Sequence, residues 1–169
     1  LPNGLEVVYH HNPLVPHIFC ILNLKANYLY EEDHQGGAIN FLLRVITDST
    51  TGYTPDKFAQ MLETNGIFLS GGGDSIVMRC LKDDFEKMLS LLTLVITKPS
   101  FNKQSIEKTR QQILSELDEF WDSPIDFVDQ IAKEALYQNH PYRKNPLGIK
   151  NDINGLTAKD LQQLFKQYV

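Results

Sequence analysis

GGAINFLLRVITDST, residues 36–50, decides how the rest of the chain is read. From its third residue, Ala38, Phe41, Leu42, Val45 and Ile46 recur at intervals of three and four, the apolar stripe of a helix that faces a core. Gly36-Gly37 marks the entrance to that helix. Positions 40, 43 and 44 share one of its faces, because residues at i, i+3 and i+4 lie above one another. Here that face carries Asn40, Leu43 and Arg44: an amide, a hydrocarbon and a permanent cation.

Upstream, LEVVYHH alternates like a strand after the breaker Pro2-Asn3-Gly4. Beyond NPLVP a second run, HIFCILNLKA, sets Ile18, Cys20, Leu22, Leu24 and Ala26 on one face. Two paired strands are therefore expected to open the chain. Downstream, Thr54-Pro55-Asp56 supplies an N-cap and a proline at the first helical position, and Phe58, Met61 and Leu62 form the core side of a short helix ending near Asn65-Gly66. IFLSGGGDSIVMRCL reads as two strands about Gly71-Gly72-Gly73.

Asp83-Asp84 opens a third helix with Phe85, Met88, Leu89, Leu92, Val95 and Ile96 inward, and Lys98-Pro99 ends it. Residues 103–121 are the longest helical candidate, with Ile106, Ile113, Leu114, Leu117 and Trp121 on the apolar side. Ser123, Pro124 and Asp126 then start another helix, whose expected core face holds Phe127, Val128, Ile131, Ala132, Ala135 and Leu136. After the loop NHPYRKNPLG, Thr157 and Asp160 cap a last helix carrying Leu161, Leu164, Phe165 and Tyr168, with no strand behind it. Strands early and helices late predict an α+β fold over residues 1–169: an antiparallel-rich mixed sheet with helices packed on one face.

With 42% hydrophobic and 22% charged residues, the chain suits a soluble globular domain rather than a disordered segment. A formal charge of −5 without a basic cluster argues against a nucleic-acid partner, and no run of about 20 apolar residues provides a membrane span. A cytoplasmic location and one reached by a targeting segment removed ahead of Leu1 are both open. Cys20 and Cys80 sit far apart in apolar runs and read as buried free thiols. His10 and His11, adjacent on the expected first strand, would point to opposite faces, and His17, His34 and His140 have no metal-ligand spacing to one another.

Several strings, in this order, resemble the pitrilysin/insulinase metallopeptidases, a family that includes mitochondrial processing peptidase and core subunits of the cytochrome bc1 complex. LPNGLEVVYHH is similar to the family's opening strand, and GGAINFLLRVITDST to the segment with its inverted zinc motif, H-x-x-E-H. FEKMLSLLTLVITKPSF with IEKTRQQILSELDEFWDSP resembles the helix pair that supplies the third metal ligand, and NHPYRKNPLG the loop beyond. The resemblance covers nearly the whole chain. It implies that Asn40 stands at the first histidine, Leu43 at the general base and Arg44 at the second histidine, leaving only Glu116 as a matching ligand.

Leucine cannot accept a proton, asparagine is a weak zinc ligand and a guanidinium repels a dication, so neither zinc as cofactor nor a catalytic residue is expected here. Two arrangements of Arg44 and Glu116 fit the sequence: a salt bridge standing where the metal would tie two helices together, or two solvated surface groups. Ser70, Gly71, Gly72 and Gly73 correspond to the strand that in active relatives lends its edge to an extended peptide; a plain hairpin turn also explains the glycines. The cluster Glu116, Asp118, Glu119 and Asp122 could attract basic segments or form a solvated helix face.

The resemblance therefore implies a noncatalytic homologue, the half that pairs with a zinc-bearing half and helps to hold peptide. The alternatives are a purely structural subunit and a zinc peptidase with displaced ligands. It also implies that the chain is an N-terminal-type domain of a longer protein, truncated before the strand and helix that complete its sheet.

Overall fold

The computed structural model describes residues 1, 2 and 4–169. Three strands form the sheet: β1 (His17–Asn23), β2 (Phe68–Gly72) and β3 (Ser75–Leu81). β3 lies in the middle, antiparallel to both neighbours, with Ile18 opposite Cys80, Cys20 opposite Met78 and Leu69 opposite Met78 on the other side. β2 and β3 form a hairpin whose two-residue turn is Gly73-Asp74; Gly73 has φ +61°, the left-handed region that favours glycine. Strand alternation puts Ile76, Met78 and Cys80 into the core, whereas Phe19, Ile21 and Phe68 remain exposed. The helices accordingly cover one face of the sheet.

The helices are α1 (Ala38–Asp48), α2 (Pro55–Thr64), α3 (Phe85–Thr97), α4 (Lys103–Asp122), α5 (Pro124–Leu136), α6 (Lys150–Gly155) and α7 (Ala158–Tyr168). α1 is the centre of the molecule. Every residue of its expected stripe is fully buried, as are Ile39 and Leu43, because β2, α4 and α7 surround it. Thr54 accepts from the Lys57 N–H at the start of α2, Ser123 accepts from the Asp126 N–H at the start of α5, and Thr157 and Asp160 form a reciprocal capping box on α7.

α1 has no capping side chain at Gly37. Glu31 supplies the cap from six residues upstream: its two carboxylate oxygens accept from the Gly37 and Ile39 N–H groups, each at 2.9 Å. Asp152 accepts from the Gly36 N–H at 2.9 Å, so α6 also holds the entrance. Gly37, at φ +86°, leaves no room for a side chain, since a Cβ there would stand 2.5 Å from the Leu147 carbonyl oxygen.

Five expectations need correction. Residues 5–11 do not form a strand; among the described residues no strand pairs with them, and Val7, Val8 and Tyr9 are exposed, because alternation without a partner strand does not make a sheet. Asn3 of the breaker ahead of them lies outside the described residues. On α3, Leu91 is buried while Leu89 and Phe85 are exposed. Trp121 is exposed at the end of α4 and meets Phe127 edge-on at 6.1 Å between ring centres.

The largest correction concerns α5. Its polar side faces the protein, with Gln130 buried and donating to the Arg143 carbonyl oxygen and to Glu134, each at 2.8 Å. Its apolar side, from Ile125 to Leu136, faces solvent. The stretch between the loop and the last helix also contains α6, too short to show a stripe, which buries Ile153 and is held by Arg110 donating to the Ile153 and Leu156 carbonyl oxygens.

Candidate functional site

Asn40, Arg44 and Thr47 project from α1 toward the hairpin and α4, and their placement follows from the rise of one helical turn. The Arg44 guanidinium meets the Glu116 carboxylate of α4 through two parallel hydrogen bonds, Nη1 to Oε1 at 2.6 Å and Nη2 to Oε2 at 2.8 Å. The side chains are 24% and 41% exposed, so the pair is partly screened by water. Of the two arrangements open in the sequence, the structure has the salt bridge.

Asn40 fixes the third side of this group. Its Oδ1 accepts from Arg44 Nε at 3.1 Å and from the Gly73 N–H of the hairpin turn at 2.9 Å. Three elements thus meet at one amide: α1, the β2–β3 turn and, through Arg44, α4. Asn40 is only 4% exposed, and its Nδ2 has no partner among the described residues. Leu43 belongs to the apolar core and is fully buried, so it presents no polar atom to the cleft.

The glycines have different roles. Gly71 and Gly72 lie within β2 and not in a flexible tip. A Cβ at Gly71 would stand 2.2 Å from the Leu43 carbonyl oxygen, so glycine is what lets β2 approach α1. Gly73 makes the turn. Ser70, Gly71, Gly72 and Gly73 border a polar cleft of about 510 Å³ together with Arg44 and Lys108, and Lys108 donates to Asp48 at 2.6 Å. β2 is the outer strand of the sheet, and among the described residues no strand pairs with its far edge.

The donor set does not fit zinc. A metal at this place would need deprotonated or neutral donors, whereas it would meet a guanidinium already committed to Glu116, and Asp48 is bonded to Lys108. Among the described residues no group of three His, Cys, Asp or Glu stands close enough together to hold a metal ion. His10 and His11 do not flank a strand; Tyr9 and His11 bond to each other at 3.1 Å, and His140 caps a turn by accepting from the Tyr142 N–H at 3.2 Å. In the acidic cluster, Glu116 is taken by Arg44 and Asp118 by Lys150, while Glu119 and Asp122 are exposed.

A helix carrying the 40-43-44 face, crossed by a long helix at Glu116 and flanked by a glycine hairpin, is the arrangement the family resemblance implies. The family model for insulinase, peptidase family M16, matches residues 6–149. The chain belongs to this family. A non-peptidase homolog named YmxG, from Helicobacter pylori, is 26% identical over 166 residues, covering 95% of this chain and 38% of that protein. A probable mitochondrial-processing peptidase subunit beta from Schizosaccharomyces pombe is 26% identical, covering 98% of this chain and 37% of the relative.

The crystal structure of a peptidase M16 inactive domain from Pseudomonas fluorescens superimposes with a TM-score of 0.78 at 23% identity, over 89% of this chain and 38% of that one. At that identity the likeness shows the fold. The chain spans less than half the length of the curated M16 relatives it matches.

Sequence reasoning missed Glu31 and the amide of Asn40 as the organisers of the site. The signal for Glu31 was an absence, a helix entrance without Ser, Thr, Asp or Asn at residue 37, which leaves orphan N–H groups for a distant acceptor. Burial pushes the Glu31 carboxyl above its ordinary value, against the lowering effect of its two backbone bonds and of Lys144.

Proposed function

We propose that this chain is a noncatalytic M16 homologue, the half that pairs with a zinc-bearing homologous half and contributes the β2 edge at Ser70–Gly73 to holding peptide. The observation that carries the reading is the bidentate Arg44–Glu116 pair. It joins α1 to α4 at the place where the resemblance would put a metal, so the scaffold keeps its tie and loses its Lewis acid. With Leu43 in the core, no group on this face can take a proton from water. A half that cannot react yet retains the fold is useful through its surfaces.

The names of the relatives support the same reading: one is described as a non-peptidase, another as a subunit. On this reading residues 1–169 are one N-terminal-type domain of a larger assembly. Co-expression with a zinc-bearing M16 homologue encoded beside it, followed by pull-down and peptidase assay, tests the proposal. Association with gain of activity is expected; neither association nor gain would contradict it.

A purely structural subunit is the second reading, and one observation favours it. Asn40 already occupies the Gly73 N–H, one of the backbone donors a peptide would use. Titrating the assembled pair with extended peptides separates the two, since a structural subunit would leave peptide affinity unchanged when Ser70 is replaced by a bulky residue.

A further inference from the structure

An amphipathic helix normally turns its apolar side inward. α5 does the opposite. Ile125, Val128, Ile131, Ala132 and Leu136 form an exposed stripe along it, continued by Trp121 at the end of α4, while Gln130 on the polar side is buried. The large side chains of the stripe expose on the order of 600 Å² together, about three-quarters of the ~800 Å² that each partner brings to a standard protein interface. An apolar patch of this size on one helix marks a docking surface.

The two ends of the stripe differ in shape and in charge. At the start Ile125 stands out, 81% exposed. At the finish Leu136, Tyr137, His140 and Tyr142 line a hollow of about 520 Å³. Asp122, Asp126 and Asp129 lie toward the first end; Lys133, which pairs with Asp129 along the helix, and Arg143 lie toward the second, where Glu134, held by Gln130, offsets one of the two cations. Knob and hollow, acid and base, are therefore distributed so that the surface complements its own reverse.

We propose that the outward face of α5 is a two-fold interface closed by a second copy of this chain, the two helices running antiparallel. Centred between Val128 and Ala132, such a pair sets Ile125 of each copy against Ala135, Leu136 and the hollow of the other. It brings the acidic end of one helix to the basic end of the next, and it opposes the helix dipoles favourably. A parallel pair would set like charges together and leave both hollows empty. The inference does not rest on the proposed peptide-holding role, since it uses none of the residues of the cleft.

Sedimentation equilibrium of the chain between about 1 and 200 μM should show a monomer–dimer equilibrium. Val128→Asp should raise the dimer dissociation constant by roughly 30-fold or more. Its far-UV circular dichroism and melting temperature should match those of the monomeric wild type, because the residue is exposed. Orientation is read by oxidising Ile125→Cys and Leu136→Cys chains, alone and mixed, with the wild-type chain as blank for Cys20 and Cys80. The mixture should cross-link most. A monomer at every concentration, a dimer that survives Val128→Asp, or self-linking of Ile125→Cys above that of the mixture would each overturn the proposal.

Discussion

At the scale of single residues, the account turns on how three side chains share hydrogen bonds. Arg44 donates through all three of its nitrogens, to Glu116 twice and to Asn40 once, so its loss strands a half-buried carboxylate and leaves the Asn40 amide oxygen with only the Gly73 N–H. Arg44→Ala should cost about 1–3 kcal/mol in urea unfolding, at the charged-hydrogen-bond end of the range but reduced by solvent access. A double-mutant cycle with Glu116→Gln should return a coupling energy of about 1 kcal/mol or more. Coupling near zero would mean that the pair is a surface accident.

The glycines give a second contrast at this scale. Gly71→Ala drives a methyl group into the Leu43 carbonyl oxygen and should cost at least about 2–3 kcal/mol, by forcing β2 away from α1. Gly73→Ala meets open space and bears only the left-handed backbone penalty of about 1 kcal/mol. Equal losses in chemical denaturation would contradict the close-approach role of Gly71.

Glu31 adds a pH signature. Its folded pKa is raised by burial from the ordinary 4.5, so between the two values the folded chain binds the proton and the unfolded chain does not. Its contribution to stability is present in full below the unfolded value and is lost as pH rises through the folded one. Asp160 runs the other way: hydrogen bonds from Thr157 hold it below 3.8, so its contribution is present above that value and is lost on acidification. Glu31→Gln should abolish the decline of urea midpoint above pH 4.5 while lowering stability by about 1 kcal/mol through one lost cap bond. An unchanged decline would place its origin elsewhere.

At the scale of elements, the inverted α5 makes a direct prediction. Ile113→Ala in α4 removes a fully buried side chain and should cost about 2–5 kcal/mol, whereas Ile131→Ala in α5 should cost under about 1 kcal/mol in the monomer. Comparable losses would show α5 to be packed inward. The same helix shows what a sequence can and cannot reveal. Ser123, Pro124 and Asp126 announced its start and the spacing of Phe127, Val128 and Ile131 announced its stripe, because caps and periodicity are local. Which way a stripe faces depends on what lies opposite, and nothing within residues 124–136 encodes that.

The same division explains the remaining elements. α1, α2, α4 and the β2–β3 hairpin were legible through proline, glycine and three–four spacing, all within a few residues of the structure they specify. Residues 5–11 alternate as cleanly as β1, yet among the described residues β1 has a partner strand and they do not. In the site, the 40-43-44 face and its tie to Glu116 were readable, the first from helical spacing and the second from family resemblance. The Glu31 cap and the Asn40–Gly73 contact join positions with no sequence signature and appear only when the chain is folded.

For the whole molecule, the M16 fold is kept around the Arg44–Glu116 pair, which on the proposed reading stands in place of a metal. The core and the hairpin approach depend on α1, and α1 is anchored by Glu31 at its entrance and by Arg44–Glu116 from its middle across to α4. On the proposed reading, a domain so preserved pairs with a homologous half and has no chemistry of its own. The central claim is that an ion pair occupies the place of the metal, and zinc titration by calorimetry on metal-free protein, wild type beside Glu116→Ala, tests it most directly. The account predicts no saturable one-to-one binding in either protein. Stoichiometric zinc binding by the wild type that disappears with the Glu116 carboxylate would contradict it.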